Sequence, residues 1–198
     1  MGRQRKTDPD AALMAAVLLF WREGYHGVGT RQLEAETGIT RFSLQTEHGG
    51  KRALFLTALD RYLDMFEPML LAPLKDAGLD RLAAWFENRP LPEDMKTQQV
   101  FGCLMVNSIT EFPMNDADIA SRAQRFYDML RTAFRACLDR ALLDGDLPAD
   151  TPIEHVTEVL VNSAVGLNIA MKSDPSGARA NRLGQATAWT INRWRNPR

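Results

Sequence analysis

Apolar residues return every three or four positions along most of this chain, and nowhere do they alternate with period two over a useful length. That pattern predicts an all-α fold. Asp8-Pro9 opens the first helix, with Asp as cap and Pro at the first helical position, where its missing N–H costs nothing. Leu13, Ala16, Val17 and Phe20 form its apolar stripe, and Gly24 supplies the stop. Thr30 is expected to cap a short second helix running through Glu36. Gly38 turns the chain, and residues 40–46 make a short third helix. Two short helices joined by a tight turn around a glycine predict a helix-turn-helix, whose second helix enters the major groove of DNA.

Further along, Leu54, Phe55, Ala58, Leu59, Tyr62, Leu63 and Phe66 keep a helix-period face over Lys51 to Glu67, which Pro68 and Pro73 then bend or end. Asp80 to Asn88 reads as a short amphipathic helix, 89–92 as a loop, and Thr97 to Phe112 as a largely apolar helix stopped by Pro113. From Asn115 to Leu143, residues Ile119, Ala123, Phe126, Leu130, Ala133, Cys137 and Ala141 recur at alternating spacings of three and four, the seam of a packed helix. Thr151-Pro152-Ile153-Glu154 has the form of a capping box and opens a helix to Lys172; Ser176 or Gly177 opens the last, to about Arg195. The helix from Ile153 to Met171 is apolar around most of its circumference, and the last one carries Trp189 opposite its Leu183, Thr187, Ile191 face. Such excess fits a core helix of a larger monomeric bundle or a two-fold dimer interface.

Phe20, Gly24-Tyr25, Thr30-Arg31, Leu33, Thr37-Gly38-Ile39-Thr40, Ser43-Leu44, and Lys51 followed by Leu54 resemble the N-terminal domain of the TetR family of transcriptional regulators. The chain departs from the family's usual residues at Glu34, Gln45, Glu47 and His48. The resemblance implies a DNA-binding domain over 1–52, a ligand-binding and dimerisation domain over 53–198, and a homodimer. Val161, Val165, Asn168 and Trp189 are then the expected interface residues. It further implies a regulator, expected to be a repressor, released from a palindromic double-stranded operator when a small-molecule effector binds.

Thr40, Arg41, Ser43, Gln45 and Thr46 are the candidate reading residues. Arg41 and Gln45 lie four apart on one face and suit guanine and adenine through paired hydrogen bonds. Phe42 meets a thymine methyl or packs inward. Thr30, Arg31 and Lys51, at the starts of the second and fourth helices, are the candidate phosphate contacts. A helical ligand-binding or protein-interaction module with a degenerate reading head is the competing reading.

Charge narrows the picture. The net charge is −1, which excludes a bulk nucleic-acid coat, so DNA affinity must come from a local patch. Residues 1–52 hold Arg3, Arg5, Lys6, Arg22, Arg31, Arg41, Lys51 and Arg52, and the arm bearing Arg3 and Arg5 is a candidate for phosphate or minor-groove contact. The apolar run Ala11 to Trp21 is too short to span a membrane and is interrupted upstream by Asp8 and Asp10, so a cytoplasmic protein is expected. Cys103 and Cys137 stand 34 residues apart without a CxxC, and the histidines His26, His48 and His155 are scattered. No metal site, cofactor fingerprint or catalytic constellation is predicted, and no enzyme.

The segment 102–112 adds a second candidate site. It resembles a helix lining the ligand cavity in one group of TetR-type regulators. Asn107, Ser108 and Glu111 interrupt an otherwise apolar helix, and buried polar groups either bond within the core or face a ligand. With Cys103, Met105, Phe66, Phe126 and Leu130 they make the expected lining. Cys103 is also a candidate sensor thiol, a role that requires accessibility and a lowered pKa; Cys137, in the apolar seam, is expected to be structural.

Overall fold

A computed structural model describes residues 8–88 and 101–196, and among these it contains nine α-helices and no strand. They are α1 (Pro9–Gly27), α2 (Thr30–Thr37), α3 (Arg41–Thr46), α4 (Gly50–Phe66), α5 (Leu79–Asn88), α6 (Leu104–Glu111), α7 (Ala117–Leu143), α8 (Ile153–Ser173) and α9 (Ala178–Arg193). Arg3, Arg5, the loop 89–92 and the first residues of the helix expected from Thr97 lie outside the described residues.

Aromatic packing joins α1 to α4. Phe20 meets Phe55 edge-on with centroids 5.0 Å apart, and Trp21 meets Tyr62 at 5.2 Å. Both phenylalanines are fully buried, each contributing on the order of 1.5–3 kcal/mol relative to exposure. Thus α4 packs on α1 and α3 near its start and on α7 further along. It does not simply end at Pro68. Pro68 offers no N–H to the carbonyl four residues back, and the chain widens into a π-turn over Glu67–Leu71, then a 3₁₀ turn over Ala72–Leu74.

Beyond this bend, α5 crosses α9 closely, and α7 runs between α8 on one side and α4, α5 and α6 on the others. Trp85 donates its indole N–H to the Leu70 carbonyl at 2.7 Å and packs edge-on against Phe134. Ile119, Phe126, Leu130, Cys137 and Ala141 of the α7 seam are buried as their spacing predicts, while Ala123 and Ala133 are half-buried; Asp116 caps the helix through the Ile119 N–H.

Several local expectations are corrected. Gly29, not Thr30, is the N-cap of α2, and no side chain caps it. The helix expected over Thr97 to Phe112 is not continuous among the described residues: residues 102 and 103 are not helical, and α6 begins at Leu104. Gly102 takes φ 71° and lies so close to the Asn168 carbonyl that a Cβ there would stand 2.7 Å from it. The capping box at 151–154 does not form: Thr151 Oγ1 donates to the Pro148 carbonyl at 2.6 Å, and Glu154 pairs with Arg135.

Candidate nucleic-acid interface and effector region

The reading unit stands on three buried apolar anchors, Leu33, Ile39 and Leu44. Gly38 at φ 72° makes the turn, its N–H donating to the Glu34 carbonyl at 3.0 Å. Buried Thr37 is fully used: its hydroxyl donates to the Leu33 carbonyl at 2.6 Å and accepts from the Ile39 N–H at 3.0 Å. Thr40 then caps α3 by accepting from the Ser43 N–H at 3.1 Å, so it is committed to the helix start.

With those groups satisfied locally, α3 presents Arg41, Phe42, Gln45 and Thr46 to solvent, with Ser43 half-buried between them. Phe42 is 75% exposed, which decides between its two expected roles: it does not pack inward. Glu34 places a carboxylate 3.8 Å from the Arg41 Nε; both side chains are exposed, so the pair is worth about 1 kcal/mol or less. Thr30 and Arg31 are exposed at the start of α2, where the uncapped N–H groups are open to an anion.

Lys51 is placed differently from the other basic candidates. Its ammonium lies 4.3 Å above the Tyr25 ring and is half-buried. Burial lowers its pKa from the ordinary lysine value, partly offset by the nearby Glu111 carboxylate. Around it, Phe112 packs against Tyr25, His26 and Phe55, and Arg52 bonds Asp116 at 2.8 Å and Asp118 at 2.9 Å. Hydrogen bonding to Arg52 holds the Asp116 carboxyl below the usual carboxylate range.

In the effector region, Phe66 and Phe126 meet with centroids 5.3 Å apart, and the Tyr62 hydroxyl reaches the Cys103 sulfur at 3.2 Å. Met105 and Leu130 are buried as well. The polar residues expected to face a cavity are engaged within the protein instead. Ser108 Oγ donates to the Leu104 carbonyl at 2.7 Å, Asn107 Nδ2 to the Phe101 carbonyl at 2.9 Å, and Glu111 takes two N–H groups of α1. Cys103 is the N-cap of α6 but is 1% exposed, short of the access a sensor thiol needs. Cys137 is fully buried, and desolvation pushes its thiol up to about 12.

An open groove of about 840 Å³ lies elsewhere, between the π-turn and the outer side of α7. Leu71, Leu74, Met129, Ala133 and Ala136 line it along with Glu67, Lys75, Arg125 and Asp128. Nothing in 102–112 borders it. Ala133, which the spacing assigned to the α7 seam, is half-buried and lines this groove beside Met129 instead.

On α8 and α9 the interface candidates divide. Val165 is half-buried and Trp189 exposed, with exposed Val159 and Ile169 alongside on α8. Val161 and Asn168, by contrast, point into the protomer: both are buried, and Asn168 donates to the Ala164 carbonyl at 2.9 Å. A helix apolar on all sides does not disclose which stripe is inward.

Residues 78–187 match the family model described as tetracyclin repressor-like, C-terminal domain. The chain belongs to the TetR family of transcriptional regulators. The HTH-type transcriptional repressor ComR of Escherichia coli (strain K12) is 29% identical over 98% of this chain and 91% of its own. An uncharacterized HTH-type transcriptional regulator of Bacillus subtilis (strain 168), YezE, is 30% identical over 87% and 90%. Among solved structures, a TetR-family regulator from Cytophaga hutchinsonii superposes with TM-score 0.80 at 14% identity over the whole of both chains. The TetR-family regulator CifR, a cysteine mutant solved with 26-base-pair operator DNA, superposes with TM-score 0.72 at 25% identity over 96% of this chain and 98% of that one. As a TetR-family member the protein is a ligand-responsive, DNA-binding transcriptional regulator. No helix among the described residues is long and apolar enough to cross a membrane.

Proposed function

We propose that the protein is a cytoplasmic homodimeric repressor that binds a palindromic operator through α3 and is released by a small amphipathic effector. The observation that supports this best is the exposed face of α3, where Arg41, Phe42, Gln45 and Thr46 project from a unit whose Thr37 and Thr40 hydroxyls are already engaged within it. Arg41, Gln45, Ser43 and Phe42 read bases, Thr30, Arg31 and Lys51 meet phosphates, and the arm with Arg3 and Arg5 adds charge. The resemblance of the N-terminal unit to a DNA-binding domain and the match of 78–187 to a repressor C-terminal domain support a division between 1–52 and 53–198.

The dimer forms through the outer stripe of α8 and α9, where Val159, Val165, Ile169 and Trp189 leave apolar surface in solvent. It sets the two α3 helices to half-sites about 34 Å apart, or a multiple of that. The effector lodges in the groove beside the π-turn, its apolar body on Leu71, Met129 and Ala133 and its polar ends among Glu67, Arg125 and Asp128. There it acts on the far end of α4, the helix that carries Lys51, and shifts the balance between two tilts of the reading heads.

Selection of random double-stranded oligonucleotides with the purified protein tests this reading. A palindromic consensus whose affinity falls steeply with salt is expected. Recovery of no consensus, or a stable monomer by light scattering, overturns it.

A further inference from the structure

Directed bonds to α1 flank α6 on both sides. Just before its first turn, the Gly102 carbonyl accepts from the buried Trp21 indole N–H at 3.1 Å. At its last residue, Glu111 accepts from the Tyr25 N–H at 2.9 Å and the His26 N–H at 2.6 Å. Those two N–H groups are exposed by the break in α1 at Gly24, whose φ of 75° interrupts the helical run. The backbone angle favours glycine there, and a Cβ on Gly24 would stand 2.9 Å from a Glu111 oxygen, so a side chain would displace the carboxylate. Backbone N–H groups donating to a carboxylate make charge-assisted bonds, stronger than neutral ones.

Tyr25 carries this fixation onward. Its ring lies under the Lys51 ammonium and packs against Phe55 of α4 at 5.0 Å. On the opposite side, Gly102 rests against the Asn168 carbonyl of α8. A path of direct contacts therefore runs from α8 through α6 to the end of α1 and the start of α4.

We propose that Glu111 is a positioning residue for operator binding: its carboxylate latches the Tyr25–His26 turn and, through the Tyr25 ring, sets where Lys51 and the start of α4 lie. This rests on the reading of α3 as an operator-binding helix.

The test compares wild type, Glu111→Ala and Glu111→Gln on the selected operator by fluorescence anisotropy, with hydrogen exchange at the Tyr25 and His26 amides and melting temperature in parallel. Glu111→Ala is expected to weaken operator binding roughly five- to tenfold as a folded dimer, with both amides exchanging faster. Glu111→Gln, which keeps one acceptor oxygen, falls between. A carboxylate with only a structural role would change the melting temperature and leave binding by the folded dimer as it was. Wild-type affinity in Glu111→Ala despite freed amides therefore overturns the proposal. Should Glu111→Ala fail to fold, wild-type affinity in Glu111→Gln with a freed amide overturns it equally. A wild-type protein that binds no operator overturns the reading of α3, and the latch falls with it.

Discussion

Two of the close contacts that glycines admit in this protein, at Gly184 and Gly24, differ in kind. At Gly184, α9 crosses α5 with the Phe86 carbonyl in the space a side chain would take, among buried Trp85, Phe86 and Ala188. At Gly24, α1 meets α6 with the Glu111 carboxylate in that space, half-buried and hydrogen-bonded. The first contact is a matter of shape, and cores resist changes of shape because they are packed to crystal-like density. The second is made of polar bonds that water can replace at modest net cost. A regulator needs both kinds: a body that holds its form and a joint that opens.

Gly184→Val should have the largest effect, because the new side chain meets backbone rather than a movable side-chain tip. We expect a loss of at least about 3 kcal/mol in urea unfolding, with operator binding by the remaining folded dimer unchanged. If the variant melts like wild type, the α5–α9 crossing is looser than the Gly184 contact requires.

Arg41→Ala leaves both contacts intact and isolates the reading face. A loss of about 1–3 kcal/mol with relaxed preference at one base pair is expected in competition binding if Arg41 reads a base. A uniform loss on all sequences would move Arg41 to the phosphate group of contacts.

Trp21→Phe removes the other α1–α6 bond and leaves the Gly102 carbonyl buried without that donor. About 1–2 kcal/mol of stability should go, read by denaturant titration. No change would mean that Glu111 alone carries the joint.

The smallest effect concerns Arg52, whose bonds to Asp116 and Asp118 fasten the start of α7 to α4. The folded-state pKa of Asp116 is depressed, so its contribution is complete above the unfolded value and lost as pH falls through the folded one. The melting difference between wild type and Arg52→Gln should therefore be present at neutral pH and shrink below roughly pH 4. A difference that persists in acid would assign the effect to the packing of Arg52 on Phe112.

Most helices were legible because their signals are local. Asp8 acts as a cap, Gly38 turns between α2 and α3, and five of the seven α7 seam residues are buried at the spacings the sequence shows, while Thr40 caps α3 rather than lying in it. What was not legible depends on contacts distant in sequence. Glu111 lies 86 residues from Tyr25, so its place on α1 could not be read from a polar residue interrupting an apolar helix. Asn107 and Ser108 interrupt the same helix yet bond to backbone within it or just before it. The inward and outward stripes of α8 are both apolar, so hydropathy could not separate Val161 from Val159. The π-turn after Pro68 escaped because proline marks a disturbance without specifying its form.

That π-turn has a mechanical consequence. Seventeen residues of α4 separate it from the reading unit, a rigid arm about 25 Å long at 1.5 Å per residue. A pivot of about 5° at the bend would swing the arm's far end by about 2 Å, comparable to the distance between a formed hydrogen bond and a broken one. Small strain at the widened turn would thereby be magnified into a change of fit along the DNA.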